Sequence, residues 1–300
     1  MKHCRAARRM NAPAPQAILD TLLARCREIR TPCGDGDMVW REWGEETRPP
    51  VVLLHGGFGA WNHWVRTIPA LEPHYRVIAA DLPGCGDSAA PSEPCDADSL
   101  AALISDGLDL AVPDDAPFDL VSFSFGGVLS GRIAHAQARR MRSLTIVGTP
   151  ILGLTGTGPA NALVAVPPGL PPHEAAAIYR GNLEKLMVRD PAAVDDLAMT
   201  LHMANMAKAR LRSRRIARRT VLADSLRGVA CRLNCIFGDG DVTLDPDLAG
   251  IRAHMAEAHP GTAFHAIAGA GHWVQYEAAD AFNALLPELL AAGRGAPGAA

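Results

Sequence analysis

Short, almost wholly apolar runs recur along the chain, each bounded by Gly, Pro or Asp: VVLLH (51–55), RVIAAD (76–81), FDLVSF (118–123), SLTIVG (143–148), CRLNCIFG (231–238) and TAFHAIAG (262–269). Runs of this length without a polar face predict strands covered on both sides, as in a parallel sheet. MVWREW (38–43) alternates as a strand does. Helical spacing of apolar positions appears in AILDTLLARCREI after Gln16, and over 97–111, 126–141, 246–258 and 278–292. Strand and helix therefore alternate, which predicts an α/β architecture: a doubly wound, mostly parallel sheet.

That rhythm breaks after Thr149. From 150 to 228 no convincing strand occurs, while HEAAAIYRGNLEKLM and AAVDDLAMTLHMANMAKARL are rich in helix formers. The expected organisation is a sheet core from 16–149 and 229–292, interrupted by a helical cap at 150–228. An insertion of this kind covers the carboxyl edge of the strands, where open sheets build their sites. The basic stretch 1–15 and the small-residue stretch 293–300 read as tails, with Met10 as a second candidate start.

Composition narrows the function classes. With 48% hydrophobic and 20% charged residues in 300, the chain can bury a sizeable core. A net charge of -3 argues against a general nucleic-acid binder. No run approaches the ~18 apolar residues of a membrane span, and MKHCRAARRMNAPAP lacks the apolar centre of a secretory signal. Seven cysteines are scattered, and the nearest pair, Cys231 and Cys235, has no second pair or histidine to complete a metal site. Reduced thiols in a cytoplasmic protein are the expectation.

Five stretches at the predicted carboxyl ends of strands carry polar residues among glycines. LVSFSFGGV (120–128) ends a strand at Ser124, with small residues Ser122 and Gly126 two positions either side. A sharp strand–turn–helix needs such neighbours to present its central side chain. LLHGGFG (53–59) offers backbone N–H groups in a glycine turn, its His55 reading as a structural hydrogen-bonding residue. DLPGCGDS (81–88) reads as a tight turn shaped by Asp81 and Ser88, with Cys85 a turn residue. IFGDGDVTLDP (236–246) holds three acids, Asp239, Asp241 and Asp245, and GAGHWVQYE (269–277) places His272 in a glycine-flanked loop.

In this order, from about Val51 to Leu290, these motifs resemble the α/β-hydrolase family. The resemblance implies Ser124 as nucleophile, His272 as general base and Asp241 as its orienting carboxylate, matched by G-x-x-D spacing from Gly238. It also implies an oxyanion hole from the N–H of Phe125 and one at Gly57 or Phe58. The chemistry requires this set: serine is scarcely ionised at neutral pH and needs a base, which imidazole, at a pKa of about 6.5, supplies. No metal or organic cofactor is needed, since the three side chains supply the proton transfers.

A serine at this position disfavours dehalogenases and epoxide hydrolases, which carry aspartate there. Gly271–Trp273 and the W-x-x-W of Trp61 and Trp64 are similar to hydrolases that cleave carbon–carbon bonds of ring-fission products. Those enzymes usually carry Asn where this chain has Phe123 and His63, which ranks them second. The leading expectation is a serine hydrolase of a small carboxylic ester; a non-hydrolytic ligand receptor on the same fold is a third reading. Phe123, Trp273 and His63 are expected to line the substrate pocket, with Phe58 and Phe125 adding apolar wall. KARLRSRRIARR (208–219) carries seven positive residues, readable as a solvated helix face or as a lure for an anionic substrate. The expected partner is a small molecule, with neither nucleic acid nor membrane involved; oligomeric state has no signature here.

Overall fold

The computed structural model describes residues 13–112, 115–154, 162–218, 220–244 and 247–294. The ends of both expected tails, Arg219 and the acid Asp245 lie outside them. Strands β1 (Arg27–Cys33) and β2 (Gly36–Trp43) form an antiparallel hairpin, and β2 runs antiparallel to β4 (Arg76–Ala80). From there the sheet is parallel through β3 (Pro50–Leu54), β5 (Phe118–Phe123), β6 (Met141–Val147), β7 (Arg232–Gly238) and β8 (Ala263–Ile267). The order across the sheet is β1-β2-β4-β3-β5-β6-β7-β8, the doubly wound arrangement expected.

Cover on both faces explains the apolar runs of β3 to β7, whereas β8, at the open edge of the sheet, is only partly covered, contrary to expectation. On β3 and β5, Val52, Leu54 and Leu120 join one buried cluster, while Val51, Leu53, Val121 and Phe123 join the other. Helices α1 (Pro15–Leu23) and α8 (Ala279–Arg294) close the second face through Leu19, Leu22, Phe282 and Leu286. The first face is closed by α2 (Ala97–Ala111) through Leu100 and Ile104, by α3 (Phe125–Ala136) through Ile133, and by α7 (Leu248–Ala258) through Ile251. Asp96 begins α2 by accepting from the N–H groups of Asp98 and Ser99, while Ser99 Oγ accepts from the Asp96 N–H.

Two helix boundaries are corrected. The helix foreseen over 17–29 stops at Leu23, and Arg27–Cys33 is an edge strand in which Thr31 and Cys33 are buried and Arg27, Glu28, Arg30 and Pro32 are exposed. Its polar outer side hid the strand, and no Gly or Pro marked the end of the helix. In the strand that MVWREW forms, Arg41 and Glu42 are buried, because Arg41 meets Asp81 at 2.8 Å and Glu42 meets Arg76 at 2.6 Å. The last helix extends to Arg294, beyond the expected boundary at 292.

Between β6 and β7 lie α4 (Pro172–Leu186), α5 (Asp196–Lys208), a helical turn at Arg214–Ala217 and α6 (Val221–Leu226). The last of these packs on α3, within the helical layer that covers the sheet, although it falls inside the expected 150–228 insertion. No helix among the described residues is long and apolar enough to cross a membrane.

Candidate active site

Ser124 occupies the single residue between β5 and α3. Its backbone sits at φ 49°, ψ −112°, a region costly for any side chain. The conformation survives because its surroundings enforce it: Ser124 N–H donates to Val147 O at 3.0 Å, and Gly126 N–H donates to His55 O at 3.1 Å. A Cβ on Gly126 would stand 2.8 Å from both His55 O and Leu54 Cβ, so the helix could not start this close to β3 with a larger residue. Ser122 fits where glycine is usual, fully buried with its hydroxyl directed at Thr145 O, 3.5 Å away.

His272 follows β8 and reaches Ser124 from a loop 148 residues away, its Nε2 lying 2.9 Å from Ser124 Oγ. Its Nδ1 faces both oxygens of Asp241, at 3.1 and 3.0 Å. Asp241 and His272 are almost wholly buried. Burial would raise the Asp241 pKa, yet the neighbouring His272 and the Thr243 hydrogen bonds outweigh it and hold the carboxyl below its ordinary value. Of the other acids in that loop, Asp239 turns outward to Arg189 at 2.5 Å. Thr243 was not anticipated: its N–H and hydroxyl donate to Asp241 Oδ1 at 2.9 and 2.7 Å, and its Oγ1 lies 3.1 Å from His272 Nδ1. Nothing in a lone threonine two residues past an aspartate marks it in sequence.

The glycine turn after β3 faces the serine. Phe58 sits at φ 54°, and among the described residues no acceptor is paired with the N–H of Gly57, Phe58 or Phe125. His55 supports the turn from behind, with Nδ1 donating to Gly56 O at 2.6 Å and Nε2 accepting from Leu82 N–H at 2.8 Å. Burial lowers its pKa, which keeps it in that neutral, two-bonded form. Asp81 accepts from the N–H groups of Trp61 and Asp87, and Ser88 Oγ donates to Asp81 O, so DLPGCGDS forms a braced turn beside it. Within it, burial pushes the Cys85 thiol up to about 12, far from thiolate chemistry.

A cavity opens on Ser124 and His272, walled by Gly57, Phe58, His63, Phe123 and Phe125, and from the insertion by Leu186, Ser213 and Arg214. Phe123 and His63 thus line it. Trp273 does not: its indole is buried, stacked on Tyr276 at 4.1 Å, and its Nε1 donates to His63 O at 3.1 Å. Consecutive loop residues point opposite ways, so His272 faces the cavity and Trp273 the core behind it. Among the described residues, no cluster of three or more His, Cys, Asp or Glu could hold a metal ion.

With sheet, serine turn and histidine loop in place, comparison with known proteins is direct. Residues 51–285 match the alpha/beta hydrolase family. The chain belongs to that family. As an alpha/beta hydrolase it is 28% identical over 251 residues to the 2-hydroxy-6-oxo-2,4-heptadienoate hydrolase of Pseudomonas putida, covering 81% of this chain and 89% of that one. A shorter match, 39% identical over 114 residues, is to the dihydrolipoyllysine-residue acetyltransferase component of the acetoin cleaving system of Pseudomonas putida. It takes in 38% of this hydrolase and only 30% of the relative's length. The fold is also that of the carboxylesterase CesB from Bacillus subtilis, with a TM-score of 0.74 at 16% identity over 93% of this chain and 96% of that one.

Proposed function

We propose that this hydrolase cleaves a small carboxylic ester through an acyl-enzyme formed on Ser124. The observation that carries the reading is the continuous contact from Ser124 Oγ through His272 to Asp241, at 2.9 and 3.0 Å. His272 Nε2 takes the hydroxyl proton as Oγ attacks the ester carbonyl, then returns it to the departing alkoxide. Asp241, fixed by Thr243, holds the imidazole with Nδ1 protonated and balances its charge while it carries both protons. The N–H of Phe125, at the start of α3, and that of Gly57 or Phe58 stabilise the tetrahedral oxyanion; one such donor is worth about 3 kcal/mol of barrier. Water then follows the same route, with His272 as base, to release the acid.

The Pseudomonas putida relative named as a heptadienoate hydrolase supports a second reading, cleavage of a carbon–carbon bond in a ring-fission dienoate. Against it stands the wall beside the serine, where Phe123 contributes no polar atom and buried His63 is held well below its usual pKa. A fluorophosphonate probe should label the protein once, and Ser124→Ala should abolish the label. A panel of p-nitrophenyl esters of graded acyl length, run beside a ring-fission dienoate, separates the readings: turnover of the dienoate alone would replace the first by the second.

A further inference from the structure

Behind the oxyanion turn a second cavity extends beneath α4 and α5 and shares Gly57, Phe58, His63, Leu186, Met187 and Arg214 with the first. Among the described residues lining the two, none is Asp, Glu or Lys, and Arg214 is the one arginine. The histidines of the second wall add no charge, because burial holds His63 well below its usual pKa and His202 down to about 4. Arg214 is half-buried, stands 5.7 Å over the Phe58 ring and meets no carboxylate among the described residues. Two other cations of the basic run are engaged elsewhere: Lys208 bonds to Asp87 at 2.6 Å, and Arg210 to the Ser88 carbonyl. Burial, followed by nearby Arg218, lowers the Arg214 pKa, yet a guanidinium stays charged at neutral pH.

A guanidinium that lines an apolar chamber with no carboxylate beside it is short of both solvation and counter-charge, and a bound anion supplies the latter. We infer that Arg214 reads a carboxylate on the substrate, held at the junction of the two cavities away from the bond that Ser124 attacks. One positive charge matches one negative charge, which favours a carboxylate over a phosphate dianion. The inference rests on the ester-hydrolase reading and narrows it: the preferred substrates are esters bearing one free carboxylate, such as half-esters of dicarboxylic acids.

The test compares mono-p-nitrophenyl glutarate with p-nitrophenyl valerate, in which a methyl group stands where the carboxylate would be. Hydrogen bonds to a charged group lead us to expect a kcat/KM ratio of roughly ten- to hundredfold in favour of the glutarate. In Arg214→Gln that ratio should collapse, mainly through KM, while Arg214→Lys should keep part of it. Arg215→Gln, which removes an exposed charge lining neither cavity, should leave it unchanged. Calorimetric titration of Ser124→Ala with monomethyl glutarate gives a readout independent of turnover, and adding Arg214→Gln should weaken that binding about tenfold or more. If no ester is turned over, the hydrolytic reading fails while the titration still decides the role of Arg214. A wild-type ratio near one, a ratio unmoved by Arg214→Gln, or equal binding in the two Ser124→Ala proteins would overturn the inference.

Discussion

At the residue scale, Ser124 is the point where the chain trades stability for presentation of a hydroxyl. Its φ of 49° and ψ of −112° cost a serine about 1–3 kcal/mol, and glycine adopts the same angles freely. Glycine also gives the unfolded chain more freedom, at about 0.5–1 kcal/mol, so Ser124→Gly should gain a net ~1 kcal/mol. Thermal unfolding should therefore rise by roughly 1–2 °C while probe labelling vanishes; a fall in Tm would show that the turn is unstrained. Single residues were legible in the sequence where a motif surrounds them. Ser124 lies between Ser122 and Gly126, and His272 follows Gly271, so each announces a backbone geometry. Thr243 and Arg214 lacked that signal, because their meaning comes from what faces them across space. Trp273 misled for a related reason: adjacency to His272 says nothing about which side of the loop its indole takes.

At the scale of elements, the histidine loop is fastened to the insertion rather than to the sheet alone. Glu277, ending the short helix Val274–Glu277, accepts from Gly271 N–H at 2.6 Å, Arg189 N–H at 3.0 Å and Asp190 N–H at 2.7 Å. Trp273 N–H donates to Met187 O, also at 2.6 Å. The approach is so close that a Cβ on Gly271 would stand 2.6 Å from Arg189 N, which is why the G-H pair begins with glycine. Glu277 thus ties down the loop that carries His272, and under the proposed ester hydrolysis it is a positioning residue for the base. Glu277→Ala should release three N–H donors, lower kcat about ten- to hundredfold through misplacement of the base, and speed amide exchange in 187–190 and 269–273. Glu277→Gln, which keeps one acceptor oxygen, should recover part of kcat. Wild-type kcat and unaltered exchange in Glu277→Ala would remove the clamp from the account. Elements with uniform burial, β3 to β7, were readable from apolar runs alone. The edge strand β1 was not, since half of its residues face water and imitate the polar side of a helix.

Across the whole molecule, the alternation of strands and helices follows from local patterns, whereas the seating of the insertion depends on pairs that no local pattern contains. Asn62 and Asn205, 143 residues apart, exchange two amide hydrogen bonds of 3.0 and 2.8 Å in a buried contact between the WNHW turn and α5. Arg66 reaches Asp195 at 2.7 Å, and Tyr276 O–H donates to the same carboxylate at 2.6 Å. Either asparagine read alone is an ordinary polar residue; only the fold shows that each satisfies the other. Removing one leaves the other amide buried without a partner, at about 1–3 kcal/mol, whereas replacing both by apolar residues removes the unmet groups as well. Asn62→Leu and Asn205→Leu should therefore each lower the urea midpoint, and the double variant should lose clearly less than their sum, with a coupling of about 1–2 kcal/mol. Additivity within ~0.5 kcal/mol would mean that the pair does not hold the insertion. Ion pairs such as Arg66–Asp195 would then carry the joint, and salt, which screens half-exposed charges but not buried amides, would loosen it.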